Sequence, residues 1–164
     1  MTPCKAPFNN MYFNVRGSVS PCWKLPGYCD EWSPDRSIAK IWFGHKFEKY
    51  RNALEKNIFL NRCKECEKNI NEGVWPLAKA YENYPANNQY PSLMELELSN
   101  QCNLECIMCN GDLSNGIRKN RENLPPLPMI YDDSFREQLH EFIPHLVELR
   151  FNGGEPFAQS IVLD

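Results

Sequence analysis

The stretch LSNQCNLECIMCNG, residues 98–111, places Cys102, Cys106 and Cys109 in a C-x3-C-x2-C spacing, with no fourth cysteine close behind. Metal sites built from thiolates usually close with four ligands. A set of three leaves one coordination position open, which separates a catalytic metal site from a closed structural one. Cys4, Cys22, Cys29, Cys63 and Cys66 bring the total to eight. The start of the chain, MTPCKAPFNN, lacks the basic residues and apolar run of an export signal. Cytosolic thiols are kept reduced, so the clustered spacings point to metal binding rather than to a disulfide framework.

Composition sets the class. With 42% apolar and 24% charged residues among 164, the chain reads as a soluble globular protein. A net charge of −3 argues against a nucleic-acid or anionic-membrane partner. No apolar run reaches the length of a bilayer. A cytoplasmic location is expected.

The apolar pattern divides the chain into two units and a linker. In residues 1–66, MYFNVRGSVSPC alternates around Arg16 and Gly17 as a hairpin does. SPDRSIAKIW offers a helix start at Ser33 or Asp35, with Ile38, Ile41 and Trp42 on one face. HKFEKYRNALEKN keeps Phe47, Tyr50 and Leu54 at helical spacing. So small a unit gains much of its stability from a bound metal. Residues 67–92 are polar and broken by prolines, and read as a linker with one helical turn near PLAKAYENY.

A different pattern occupies residues 93–164. LMELELSN alternates Met94, Leu96 and Leu98 with Glu95 and Glu97, as a strand does. Beyond the cysteines, LSNGIRKNRENLPPLPMIYDD reads as a Pro-rich loop, with Arg118, Lys119 and Arg121 as a solvated basic run. Asp132, Asp133 and Ser134 offer an N-cap to a helix that stacks Phe135, Leu139, Phe142 and Leu146, its end disturbed by Pro144. VELRFNGGEP supplies a second strand, with Val147, Leu149 and Phe151 alternating against Glu148 and Arg150. Strand, helix and strand in that order predict a βαβ unit with parallel strands. The charged second faces suit a polar cavity in which Glu97 pairs with Arg150, or else an exposed sheet face. His45, His140 and His145 lie in helical patterns without metal-ligand spacing to a cysteine, and His140 and His145 are expected on solvated faces.

C-x3-C-x2-C after a first strand, followed by GGEP after a second, resembles the radical S-adenosylmethionine (SAM) enzymes. The resemblance implies that Cys102, Cys106 and Cys109 hold a 4Fe–4S cluster, with the amino and carboxylate groups of SAM on the fourth iron. Electron transfer from such a cluster cleaves SAM to a 5′-deoxyadenosyl radical, which abstracts hydrogen from a substrate. By the same resemblance Gly153, Gly154 and Glu155 contact the amino group of SAM. Paired glycines let a backbone approach a ligand closely, and Glu155 supplies an anion for an ammonium group. The residue before the third cysteine, often aromatic in the family, is Met108, whose sulfur can also cover an adenine ring.

The amino-terminal cysteines have a pattern of their own. Cys4, twelve residues, Gly17, four residues and Cys22, then Cys63 and Cys66 in CKEC, resemble the SPASM and Twitch domains, which bind auxiliary iron–sulfur clusters. The cysteines that would follow in a full SPASM domain are missing, so the short Twitch form fits better. Cys4, Cys22, Cys63 and Cys66 are then the auxiliary ligands and Cys29 is spare. By spacing alone, structural zinc suits the set equally; the neighbouring radical-SAM motif favours iron–sulfur.

The fold expected is therefore α/β, the start of a partial (βα)6 radical-SAM barrel at residues 93–164, preceded by a small α+β cysteine-rich domain. Four more strands do not fit after Gly154, and the apolar approach to Asp164 is expected of a helix cut short, so a fragment of a longer enzyme is expected. The resemblance implies an electron donor such as flavodoxin or ferredoxin and a substrate that includes peptides among its candidates. The alternative is a non-catalytic iron–sulfur or zinc-binding module.

Overall fold

Asn14, Val15, Arg16 and Gly17 reverse the chain between two short runs of buried residues. Gly17 supplies the positive φ (+81°) of the reversal, and the Asn14 side-chain oxygen accepts from the backbone of Arg16 and Ser18. The computed structural model describes residues 2–25, 29–74, 77–87 and 89–159. In it this hairpin joins β1 (Asn10–Phe13) to β2 (Ser18–Ser20), with β3 (Asp30–Glu31) antiparallel on the far side of β2. A short α1 (Ala6–Asn9) leads into β1.

Helix α2 (Ile38–Trp42) starts at neither expected position. Ser37 caps it, its side chain accepting from the Lys40 amide at 3.2 Å. Ser33 instead accepts from the Arg36 amide, and Arg36 reaches back to Asp30 at 2.6 Å, which keeps residues 33–36 in a turn. Helix α3 (His45–Glu55) buries Phe47, Tyr50 and Leu54, as their spacing predicts. Helix α4 (Lys64–Asn71) begins among the second cysteines and runs into the expected linker. A 3-10 turn at Leu77–Tyr81 accounts for the helical turn in PLAKAYENY, whose Pro76 lies outside the described residues.

Beyond these come β4 (Leu93–Leu96), α5 (Asn115–Asn120), α6 (Asp133–Phe142) and β5 (Glu148–Phe151). Asp132 caps α6 through the amides of Ser134 and Phe135, and α6 gives way at Pro144 to a 3-10 turn, Ile143–His145. Leu146 therefore lies beyond the helix, although it still packs on the core. His145 is exposed but stacks on Tyr90, centroids 3.7 Å apart.

One mixed sheet runs through everything, in the order β3-β2-β1-β4-β5. β4 and β5 are parallel, as the βαβ pattern predicts, and β1 is parallel to β4, so the hairpin and the βαβ unit share a sheet. One sheet face is apolar: Met11, Phe13, Val19, Met94 and Leu96 pack against Ile38, Trp42, Phe135 and Phe142. Each such side chain contributes roughly 1.5–3 kcal/mol on burial. Rings meet edge to face at Phe13–Phe135, 5.4 Å, and Trp32–Phe135, 5.3 Å. The Gln138 side chain ties α6 to Trp32 and to the first amide of α2. The observed class is mixed α/β; the described residues include no strand after β5, and the residues leading to Asp164 lie outside them. No helix among the described residues is long and apolar enough to cross a membrane.

Candidate functional site

Two cysteine sets stand toward opposite ends of β4. Cys4 precedes α1, Cys22 follows β2, and Cys63 and Cys66 open α4, three residues apart and so on one helix face. All four line one cavity with Ala6, Leu25, Leu54, Phe59 and Tyr81, which encloses about 400 Å³ of non-protein space including its mouth. Burial pushes the Cys4 thiol up to about 12 and the Cys63 thiol up to about 11, and each neighbouring thiolate adds to the rise. Cys22, the most enclosed, is raised further for the same reasons. Four thiols in an apolar cavity can ionise together only if bound cations compensate them. Among the described residues no three Cys, His, Asp or Glu side chains are gathered as ligands of a single metal ion.

Cys29 stands apart. It is buried, its thiol is pushed up to about 12 by burial, and it lines a separate cleft with Lys46, Lys49 and Tyr50 rather than the four-cysteine cavity.

Cys102, Cys106 and Cys109 occupy the loop at the carboxyl end of β4, where open parallel sheets place their ligand sites. The loop is open to solvent: Ile107 is 93% and Met108 89% exposed, and Cys106 is exposed between the half-buried Cys102 and Cys109. The Cys109 amide donates to the Cys106 carbonyl at 3.0 Å, closing a turn. The loop rests on α5, in a stretch expected to be irregular. Arg118 is buried and bonded to Asp112 and the Pro125 carbonyl, and Arg121 donates to the carbonyls of Cys106 and Cys109. Of the basic run, Lys119 and Arg121 are exposed as expected, although Arg121 is tied to the cysteine loop, and Arg118 is buried. The missed signal was Ser114, which caps α5 through the Ile117 amide.

The GGE turn after β5 lies against this loop. The Gly154 amide donates to the Ser99 carbonyl at 3.3 Å and the Glu155 amide to the Gln101 carbonyl at 2.9 Å, one residue before Cys102. A Cβ on Gly154 would lie 2.9 Å from the Gln101 carbonyl carbon and closer still to its oxygen. Gly153, at φ +92°, lies against Glu97. The bare backbone of both glycines is thus used by the protein itself. The Glu155 carboxylate accepts from the Phe157 amide at 3.2 Å, the local cap of a 3-10 turn.

The polar face of the sheet lies between the two cysteine sets. Arg150 pairs with Glu95 at 3.2 Å, not with Glu97. Parallel pairing sets Glu95 directly opposite Arg150, and the alternation of the strands gave the face but not the register. Glu95 also accepts from Asn10 at 2.9 Å and Tyr81 at 3.1 Å, while Arg150 continues to Glu148 and Tyr84. Tyr81, a wall of the four-cysteine cavity, therefore touches the same network. Glu97 accepts from the Tyr12 hydroxyl at 2.8 Å, and burial raises its carboxyl above the usual range.

Residues 4–67 match the family model SPASM, described as an iron–sulfur cluster-binding domain, and the match contains Cys4, Cys22, Cys29, Cys63 and Cys66. No curated protein and no solved structure matches the chain.

Proposed function

We infer from the SPASM match at residues 4–67 that this chain is an iron–sulfur binding module of a kind typical of radical SAM enzymes. We propose that it carries the metal centres of such an enzyme. Cys102, Cys106 and Cys109 hold a 4Fe–4S cluster with one iron open to SAM, and Cys4, Cys22, Cys63 and Cys66 hold an auxiliary iron–sulfur cluster. The observation that carries the reading is the seating of the GGE turn on the Ser99–Gln101 backbone, beside Cys102 and at the ends of two parallel neighbours. A cluster bound there supplies the single electron that cleaves SAM.

The chain's own residues then have separate tasks. The cysteine loop presents three thiolates on a surface held by α5. Glu155, fixed by the Phe157 amide, keeps an anion near the open position for the SAM ammonium group, and Met108 is free to cover the adenine. The polar sheet face offers Glu97 and Arg150 to a substrate held beside the cluster, with peptides the leading class, while the buried Glu95 holds Arg150 in place. Electrons come from a donor such as flavodoxin or ferredoxin, in the cytoplasm.

The test is anaerobic reconstitution, with counts of iron, sulfide and zinc and electron paramagnetic resonance of the reduced sample with and without SAM. About eight irons are expected, with one of two signals shifted by SAM. Cys102→Ala should remove the shifted signal and spare the other. Stoichiometric zinc, or iron with no SAM response, would make the chain a non-catalytic metal-binding module.

A further inference from the structure

We infer that Arg121 is a positioning residue for the cysteine loop, fixing the Cys106–Cys109 turn and offsetting the charge of the cluster held there. This rests on the reading that Cys102, Cys106 and Cys109 bind a cluster.

Burial does little to hold residues 102–109. Leu104 is 52%, Ile107 93% and Met108 89% exposed, so the loop lacks the apolar contacts that fix most turns. Hydrogen bonds from one short stretch hold it instead. The Ser114 hydroxyl donates to the Leu104 carbonyl at 2.8 Å, and the Asn115 side chain accepts from the Cys102 amide at 3.2 Å. At the other end of α5, Asn120 donates to the Glu105 carboxylate. Arg121 spans the final turn, one guanidinium nitrogen 3.1 Å from the Cys106 carbonyl oxygen and the other 3.5 Å from that of Cys109. Six residues are too few for a helix to stand alone in water. α5 is anchored from beneath by Ile117, fully buried, and by Arg118 on Asp112 and Pro125.

Arg121 differs from the other members of this clasp in two ways. It alone brings a positive charge, and it alone binds the carbonyls of two cysteines. A guanidinium presents donors in a fixed fork, so it sets the distance between those carbonyls as well as their direction. Two of the three iron-binding thiols therefore have their backbone placed before iron arrives. The same cation lies on the backbone of two of the cysteines that would hold a cluster, and a cluster gains negative charge on reduction. Hydrogen bonding and net charge around a cluster set its potential. The Arg121 charge favours the reduced form and disfavours loss of iron.

The test uses the full chain reconstituted without oxygen, with the auxiliary site of the same molecule as internal standard. Arg121→Met keeps an unbranched apolar stem and removes the charge and donors; Arg121→Lys keeps the charge and removes the fork. Iron release to a chelator and a potentiometric resonance titration are read at each site. In Arg121→Met, iron leaves the Cys102–Cys109 site about tenfold faster and its potential becomes more negative, while the auxiliary site is unchanged. Arg121→Lys recovers the potential but not the retention. Release and potential equal to wild type in Arg121→Met would overturn the inference. So would loss of both clusters together, which would make Arg121 a residue of the general fold. A wild-type chain with no cluster at Cys102, Cys106 and Cys109 would instead remove the functional reading, before any variant is compared.

Discussion

Replacing Gly154 by alanine separates packing from ligand binding at the GGE turn. The added Cβ would lie 2.9 Å from the Gln101 carbonyl carbon and 3.1 Å from the Asn100 carbonyl carbon, both backbone atoms that cannot swing away as a side chain can. Ordinary carbon contacts lie at about 3.5–4.0 Å, so the turn must retreat by half an ångström or more. Overpacking of this kind costs about 1–3 kcal/mol. The retreat also stretches the bonds from Gly154 to Ser99 and from Glu155 to Gln101, at 3.3 and 2.9 Å, together worth about 1 kcal/mol. The total is about 2–4 kcal/mol, or roughly 4–16 °C in a chain of this size. Thermal unfolding of the metal-free protein, followed by circular dichroism, measures it without any cofactor. Gly73→Ala is the control: that residue sits at φ +67° with no atom within 4 Å of its added Cβ, so only backbone strain of about 1–2 kcal/mol is expected. A Gly154→Ala chain that unfolds with the wild type would refute the packing argument. The glycine would then serve a ligand alone.

Two further outcomes concern charge. Glu95→Leu removes the acceptor shared by Asn10, Tyr81 and Arg150 and should cost about 3 kcal/mol in urea unfolding, against about 1 kcal/mol for Glu95→Gln; equal midpoints for both variants and wild type would contradict the network. Asp30 feels burial, which raises its carboxyl, but Arg36, the Glu31 amide and Lys46 outweigh this and hold it below the ordinary range. Its contribution should be fully present above about pH 4 and lost as pH falls through the lowered folded value. Asp30→Asn should flatten that acid limb of the stability profile, and a limb of unchanged slope would argue against the pairing.

Local patterns were legible in the sequence where one face of an element decides its burial. Phe47, Tyr50 and Leu54 announced α3, and Phe135, Leu139 and Phe142 announced α6. Helix α2 began late because Arg36 binds Asp30, a contact between turns that spacing does not display. The strands were visible but their partners were not. Nothing in MYFNVRG indicates that Phe13 will lie opposite Leu96, and without register Arg150 could not be assigned to Glu95 rather than Glu97. The cysteine sets were readable because ligand spacing is a local property. The clasp around Cys102–Cys109 was hidden in a Pro-rich, basic stretch whose composition resembles that of a solvated loop, and only Ser114 marked a helix start there.

The pairing of β1 with β4 also sets a timetable for synthesis. The Asn9 carbonyl meets Ser92 across 83 residues of sequence, and closing so long a loop costs about 4 kcal/mol in chain entropy. Cys4, Cys22, Cys63 and Cys66 are all translated before β4 exists. At ribosomal rates of about 5–20 residues per second, some two to six seconds separate Cys66 from Leu96. Throughout that interval the four thiols lack Tyr81 as a settled wall and lack the strand that fixes β1 in the middle of the sheet. A nascent chain is therefore most exposed to oxidation, and to capture of the wrong metal, just before its sheet closes. Iron delivery belongs after that step, to the folded chain rather than to the emerging one.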